Sequence, residues 1–344
     1  MIYIYQKQGI LMLIRKIFLA INTIIIFSGS ISPAQTTVIK IKSCNKILNE
    51  NESNSVEAIL TKRLVFNGIK NDAFEINRSG DILSISFNKE VARDFKNLLT
   101  KRGYFEVREV YTYGEFKDVL FNINNSLKDD PDKTIMQMTD SSEDTAKQIF
   151  ISKNPLFAFL VPVDFNVQVF EPKIKEGAGI GFAFSKDTAV VNKILKSESV
   201  KKLIPADVDF SWSSKHKNEN VDSTDSNGLF ELYALKKADE NSLLNSTNIE
   251  KASVEKSRYN RRPEVIFKFK PMAILNWGQL TEKNIGRPLA LVIDGETYSV
   301  PIVQAKIESG YCAISGGLDD DEAKICGALM SCGVLPDKMC IVEQ

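Results

Sequence analysis

The sequence predicts an α+β fold, a two-layer unit with sheet on one side and helices on the other. Two observations carry this. The segment after the N-terminal leader reads strand, helix, strand, strand, helix, strand, and its strand segments alternate apolar and polar residues. The C-terminal third again mixes alternating strands with helices that open on capping patterns and close on glycine. At 344 residues and 43% hydrophobic, the chain can bury one large core or two modest ones.

Residues 1–34 read as a secretory signal: Arg15 and Lys16, an apolar run from Ile17 to Phe27, then Ser32-Pro33-Ala34, with cleavage expected after Ala34. The apolar run is shorter than the roughly 20 residues of a spanning helix; an uncleaved anchor is the alternative. Cys44 follows "KIKS" and lacks a lipobox. "TTVIKIKSC" then alternates as a strand, and Asn54-Ser55-Val56-Glu57 is a capping box for a helix that stops at Gly68. "AFEINRSGDILSISF" reads as two strands about a turn at Ser79-Gly80-Asp81. Asn88 caps a helix with Val91, Ala92, Phe95, Leu98 and Leu99 on one face, ended by Gly103, and "YFEVREVYTY" is a further strand.

From Gly114 onward the character changes. Residues 122–147 are polar, "NPLFAFLVPVDFNVQVF" is apolar, and Asp187 or Ser185 caps a helix running to Pro205. Residues 213–228 and 237–260 read as loops or exposed helix. "PEVIFKFK" places Val265, Phe267 and Phe269 on one strand face, and "MAILNWGQLTEKNIG" is a short helix aligned on Ala273, Trp277 and Leu280. "CAISG" is a strand, Asp319 with Glu322 caps a helix that ends at Gly333, and "KMCIVE" closes as a strand.

Composition excludes several functions. Lysine plus arginine equals aspartate plus glutamate at 44 each, so no basic surface for nucleic acid is implied. The single histidine, His216, sits in a polar run, which removes multi-histidine metal sites and leaves a triad only one base. "EGAGIGFAF" fails as a phosphate loop, because Phe182 stands where the third glycine is needed. Asp319 to Glu322 lacks calcium-loop spacing and reads as a helix start. The five cysteines show no CxxC pair; an oxidising compartment permits disulfides, but buried thiols acting as small hydrophobes are the preferred reading. No metal, cofactor or catalytic residue is expected.

"RPLALVIDGETYSVPIVQAKIESG" poses the remaining question. Asp-Gly between two apolar runs is a strong signal for a tight hairpin turn, which requires positive φ. A catalytic aspartate would need a partner acid, base or metal, and none is recognisable beside it. Asp294 and Gly295 are therefore read as a structural turn.

At this point a family becomes recognisable. "PEVIFKF", Leu280-Thr281 with Asn284-Ile285-Gly286, "LALVIDG", Ser299-Val300-Pro301, Gly310, "ISGG", Glu322-Ala323 and Gly333-Val334-Leu335-Pro336 closely resemble SecD, in its first large periplasmic domain. "NPLFAFLVP", Asp187-Thr188 with Val191-Asn192, Leu203-Ile204-Pro205 and Leu232-Tyr233-Ala234-Leu235 resemble the Bacteroidetes form. The resemblance implies a ferredoxin-like base from residues 35–112 and 312–344 carrying an inserted α+β head, residues 113–311. It implies protein export through the Sec translocon, with the head engaging emerging polypeptide. Family members continue past the "G-x-LP" stretch into membrane helices that carry protons; a chain ending at Gln344 is expected to have no such path. The family's proline-glycine pair is replaced by Phe87-Asn88.

The expected function is a non-catalytic periplasmic binding module for unfolded or translocating polypeptide or for translocon components, peripheral to the membrane at most. A repurposed envelope interaction protein is the alternative. An extended peptide would add to an exposed strand edge of the head. The candidate contacts are Phe157, Phe159 and Leu160 in the apolar segment, and Tyr298, Val300 and Pro301 on the hairpin.

Overall fold

A computed structural model describes residues 37–88, 95–129, 145–163, 177–215, 228–237, 244–315 and 318–342. The expected signal segment, Val91, Ala92 and His216 lie outside the described residues. The chain begins with β1 (Thr37–Ser43), α1 (Glu50–Phe66), β2 (Phe74–Ser79), β3 (Ile82–Phe87) and α2 (Phe95–Thr100). Next come β4 (Phe105–Glu109), α3 (Tyr113–Ser126), α4 (Thr145–Lys153), β5 (Val161–Pro162) and β6 (Gly179–Phe184). They are followed by α5 (Thr188–Leu195), α6 (Glu198–Lys201), β7 (Val208–Trp212), β8 (Leu229–Lys236) and β9 (Ile249–Lys256). The last elements are β10 (Pro263–Phe269), α7 (Pro271–Lys283), β11 (Leu289–Ile293), β12 (Glu296–Ser299), β13 (Tyr311–Ile314), α8 (Asp320–Ser331) and β14 (Met339–Ile341).

The strands form four small antiparallel sheets, ordered β14-β1-β3-β2, β5-β6-β8-β7, β12-β11-β4 and β13-β10-β9. Mixed helix and antiparallel sheet make the fold α+β. In the first sheet Ile39, Ile41, Leu83 and Ile85 turn inward on the two central strands and meet Val56, Leu60 and Leu64 of α1. The chain leaves this unit after α2 and returns only for α8 and β14. Both β4 and β13 pair into sheets of the intervening segment, with β11 and β10 respectively.

α8 joins two cores, which explains its small residues. Ala323, Cys326, Leu329 and Met330 pack with Phe267, Val265 and Phe105, while Ala328 and Cys332 pack with α1 and the first sheet. A Cβ on Gly327 would stand 3.0 Å from the Phe66 ring and 3.1 Å from Val254 Cγ2, so a larger residue would require both side chains to give way. Asp319 caps α8 by accepting the Asp321 and Glu322 N–H groups, and Glu322 returns a bond to the cap.

Four local expectations change. α1 starts one turn earlier, on a complete Asn49/Glu52 capping box, because that start also buries Ser53 and Val56. The stretch expected as one helix to Pro205 breaks into α5 and α6. Residues 249–256, read as loop or exposed helix, form the outer strand β9, whose charged side chains suit a sheet edge; its ladder comes from β10. Cys44 and Cys340 form a disulfide rather than remaining buried thiols. The β1–β14 register, with Lys42 opposite Cys340 and Ser43 opposite Met339, brings together residues 296 apart in sequence, which local spacing cannot reveal. Cys312, Cys326 and Cys332 stay free.

Two carboxylates tie distant segments. Glu115, in the first turn of α3, accepts from Arg287 Nη2 at 2.8 and 3.0 Å. This bond, with lesser help from the Thr112 backbone N–H, draws the Glu115 carboxyl down to about 2. Asp337 accepts from Ser43 Oγ, from Asn45 and from the Lys338 N–H, and lies well below the carboxylate range through those bonds. Both groups are more acidic folded than unfolded, so their contribution is complete above about pH 5 and is lost as pH falls through the folded values. The melting temperature is expected to drop between pH 5 and pH 2, with a shallower slope in Glu115→Gln; an unchanged slope would refute the Glu115 contribution.

Candidate functional site

The Asp-Gly corner comes first, because it positions what surrounds it. Asp294 has φ 53° and Gly295 φ 81°, the left-handed geometry of a two-residue hairpin turn. The Asp294 carboxylate accepts from the Gly103 N–H at 3.0 Å and the Tyr104 N–H at 2.8 Å, while its own N–H donates to Tyr104 O. Each carboxylate oxygen thus takes one backbone N–H, pinning the hairpin tip to the start of β4.

Beside that tip lies a cavity of about 880 Å³, walled by β7, by α5 with the segment after it, and by Gly295 and Glu296. β7 is the outer strand of its sheet. Lys237 N donates to Asp207 O and Ser213 N to Glu231 O, so every second residue of β7 turns its backbone toward β8. The same alternation turns the backbone groups of Val208, Phe210 and Trp212 away from β8; Val208 N donates to Pro205 O and Trp212 O accepts from Ser211 Oγ beside the Ser213–Thr297 bridge, so the open stretch of edge is centred on Phe210. At its C-terminal end the edge is closed by the hairpin: Ser211 Oγ donates to Gly295 O at 2.8 Å, and Ser214 N donates to Thr297 O. Trp212 Nε1 donates to Asn192 Oδ1 at 3.0 Å and locks α5 against the strand.

The cavity lining mixes aromatic surface with charge. Phe210 and Trp212 supply the apolar part, and Lys196, Lys201 and Lys237 the basic part. Arg108, 8% exposed, spans the back wall, donating to Lys236 O and pairing with Glu106 and Asp209. The Arg108, Ser211 and Trp212 donors are engaged by partners within the protein. Among the described residues no group of three or more His, Cys, Asp or Glu side chains is arranged to hold a metal. Burial pushes the Cys312 and Cys326 thiols up to about 12, far from a reactive thiolate.

A second, apolar cleft of about 520 Å³ lies on another face, between β13, β11 and the segment after β12. Trp277 lines it, and its Nε1–H is buried with no acceptor.

The residues expected from the sequence divide between core and cleft. Phe157, Phe159 and Leu160 are buried with Phe116, Leu120 and Ile180. Tyr298 is half-buried under Lys101, whose Nζ lies 5.5 Å from its ring centre and donates to its hydroxyl; burial pushes the phenol up to about 12. Val300 packs against the small cluster around Val110 and Ala290. Pro301 is exposed and lines the apolar cleft. The edge of β7 and the Trp277 donor were not read from the sequence. "DFSW" alternates like any half-buried strand, and its exposure depends on which neighbour is missing.

The fold defines a class: an α+β module with several small antiparallel sheets and two concave clefts among the described residues. Within that class, residues 220–337 match the family model described as "SecDF, P1 head subdomain". The chain is similar to the protein translocase subunit SecD of Rhodothermus marinus, 30% identical over 194 residues, which is 56% of this chain and 28% of that protein. It is also similar to SecD of Magnetococcus marinus, 26% identical over 167 residues, 48% of this chain and 29% of that protein. The matches thus span less than a third of either relative. Among solved structures, SecDF in its "Super-membrane-facing form" aligns over 89% of this chain and 29% of its own, with 16% identity and a TM-score of 0.46. A structure of "a membrane component SecDF that enhances protein export" aligns over 90% of this chain and 99% of its own, with 15% identity and a TM-score of 0.45. The chain is thus similar to part of SecD proteins, and residues 220–337 to the P1 head subdomain of SecDF. Among the described residues no helix is long and apolar enough to cross a membrane.

Proposed function

We propose that this chain serves Sec-dependent protein export as a non-catalytic module that holds translocating polypeptide, on the outer side of the cytoplasmic membrane. The observation that carries this reading is the open edge of β7 beside the 880 Å³ cavity, within a chain whose relatives are translocase subunits. An extended peptide is recognised through main-chain hydrogen bonds, which every sequence offers, and an edge strand supplies the matching row. Phe210 and Trp212 add apolar contact of low selectivity, and charge of both signs lines the rim, Lys196, Lys201 and Lys237 beside Asp209 and Glu296.

The disulfide Cys44–Cys340 supports an oxidising compartment, the periplasm. The strand order β14-β1-β3-β2, all antiparallel and reached in the sequence strand-helix-strand-strand-helix-strand, supports a ferredoxin-like base with the remaining sheets as its inserted head. On this division the head spans β4 through β13, and α8 fastens it to the base.

The test is a photo-crosslinker at Lys196, an exposed position on the cavity rim, in cells exporting a labelled protein. Adducts with the exported chain or with translocon subunits are expected. Their absence at Lys196, Lys201 and Lys237 alike, in protein shown to be folded, would remove the export reading.

A further inference from the structure

We infer that the tip of the β9–β10 hairpin, residues 257–262, is a docking surface for an anionic phospholipid membrane. The inference goes beyond the polypeptide reading above and uses none of its residues. The tip runs Ser257-Arg258-Tyr259-Asn260-Arg261-Arg262, three arginines and an aromatic ring with no carboxylate among them. Every residue from Arg258 to Arg262 is exposed, and Tyr259 is 99% exposed. The loop is held in shape by its own hydrogen bonds. Ser257 N donates to Arg262 O at 2.8 Å, Arg261 N to Ser257 O at 3.0 Å, and Arg262 N to Asn260 Oδ1 at 3.0 Å. Arg261 has φ 61°. Glycine, asparagine and aspartate take that left-handed geometry at the least cost, and arginine is not among them. A strained backbone at an exposed arginine is an outlier that a solvated loop does not require, and it points to a use for the side chain.

Charge and topology choose the partner. The acids at the foot of the tip are already engaged: Asp319 caps α8, Asp320 pairs with Lys256, Asp321 with Lys324 and Glu322 with Lys215. Glu255 and Glu264 stand opposite each other further down the ladder. Among the described residues none of Arg258, Arg261 and Arg262 has a carboxylate within ion-pair distance, so the tip keeps its positive charge. Guanidinium forks match phosphate oxygens, and a tyrosine ring suits the boundary between headgroups and acyl chains. Position adds to this. Ala252 O accepts from Ser331 Oγ while Lys256 reaches Asp320, so β9 runs along α8 and the tip projects past its N-terminus. Gly327 lies against Phe66 and Gly333 against Ile59, so that end of α8 adjoins the C-terminal end of α1. From there the chain enters β2 at Phe74, in line with Phe87 and Thr37 across the sheet. The tip therefore shares an end of the molecule with the start of β1, the strand that follows the apolar run Ile17–Phe27. A nucleic acid or an acidic peptide would use the arginines, but it offers the bare ring no apolar phase and gives no reason for that placement.

The test uses the full chain with a bimane label on Tyr259→Cys. An apolar run is itself drawn to vesicles, so the readout is local: quenching of the label by a nitroxide carried on the lipid headgroup. Vesicles are an equal mixture of phosphatidylglycerol and phosphatidylcholine, or phosphatidylcholine alone. Quenching is expected on the anionic vesicles only, and is expected to fade as salt is raised. A label on Asp81→Cys, in the β2–β3 turn at the opposite end of the base, should stay unquenched. Changing Arg258, Arg261 and Arg262 together to glutamine should raise the lipid concentration at half-quenching on the order of a hundredfold, about fivefold for each arginine. Arg261→Gly separates charge from folding: it relieves the left-handed backbone, keeps thermal stability, and should still weaken the lipid contact about fivefold. Equal quenching on both kinds of vesicle, no quenching on either, or lipid contact unchanged in both arginine variants would overturn the inference. A bimane response to polyglutamate or to a DNA oligonucleotide, without quenching by lipid, would overturn it in favour of an acidic polymer. The adducts at Lys196 are read separately, so failure of the membrane surface and failure of the polypeptide reading are told apart.

Discussion

Replacing Arg63 with methionine is expected to destabilise the protein by about 3–5 kcal/mol, the largest loss from any single side chain. Arg63 sits on α1 with no exposed surface and no carboxylate within its hydrogen bonds. Instead Nη1 donates to Leu98 O at 3.1 Å and Lys101 O at 2.6 Å, and Nη2 to Arg102 O at 2.6 Å and Gly333 O at 3.0 Å. These carbonyls belong to the C-terminal end of α2 and the turn after α8, where helices leave acceptors unpaired and carry partial negative charge. One guanidinium thus closes two helix ends against a third helix. Burial lowers its pKa to about 10, so it remains charged at neutral pH.

A buried charge is often neutral to replace by an apolar group of similar size, and that argument has to be met here. It fails because the partners are backbone. Methionine fills the stem's volume but leaves carbonyls without donors, at about 1–3 kcal/mol for each one that water cannot reach. Lysine keeps the charge but cannot span the four oxygens, so Arg63→Lys should fall between the two. Gly103 checks the same joint independently. Its φ is +79°, and a Cβ there would meet Arg63 Nη2 at 2.6 Å and Leu329 O at 2.8 Å, so Gly103→Ala should lose at least about 2 kcal/mol. Urea unfolding measures all three. A methionine variant as stable as the native protein would show that the carbonyls find other partners.

Local chemistry was legible in the sequence, and partnership across the chain was not. Asp294-Gly295 was readable because positive φ is a property of two residues, and Asp319 with Glu322 because a capping box spans four. The strand face of Val265, Phe267 and Phe269 was readable for the same reason, and all three are buried. Arg63 gave no signal: in "LTKRLVFNG" it looks like a solvated charge, and its acceptors lie 35 to 270 residues away. The apolar run at Phe157 was visible, but apolar character alone does not separate a binding surface from a core. The edges of β7 and β13 were hidden because an edge is defined by an absent neighbour, which no stretch of sequence records.

The disulfide is the other long-range partnership, and removing it is the second large prediction. Cys44→Ser with Cys340→Ser is expected to destabilise the protein by about 3–5 kcal/mol, since a link closing a long loop removes much freedom from the unfolded chain. The separation of 296 residues encloses nearly all of the described chain, so in the unfolded state the bridge constrains every other element. In the folded state its work is local. β14 pairs with β1 at only three positions, and beyond the bridge the strand is held by Asp337 through Ser43 and Asn45. Hydrogen exchange should therefore show β14 protection collapsing in the serine pair at neutral pH, while β1 and β3, paired along five residues, stay protected. Lowering the pH of that variant from 5 toward 2 should progressively weaken the stabilisation that the Asp337 bonds still supply. If β14 protection survives the serine pair unchanged, three strand pairs and one aspartate suffice to close the base, and the bridge then acts only on the unfolded chain.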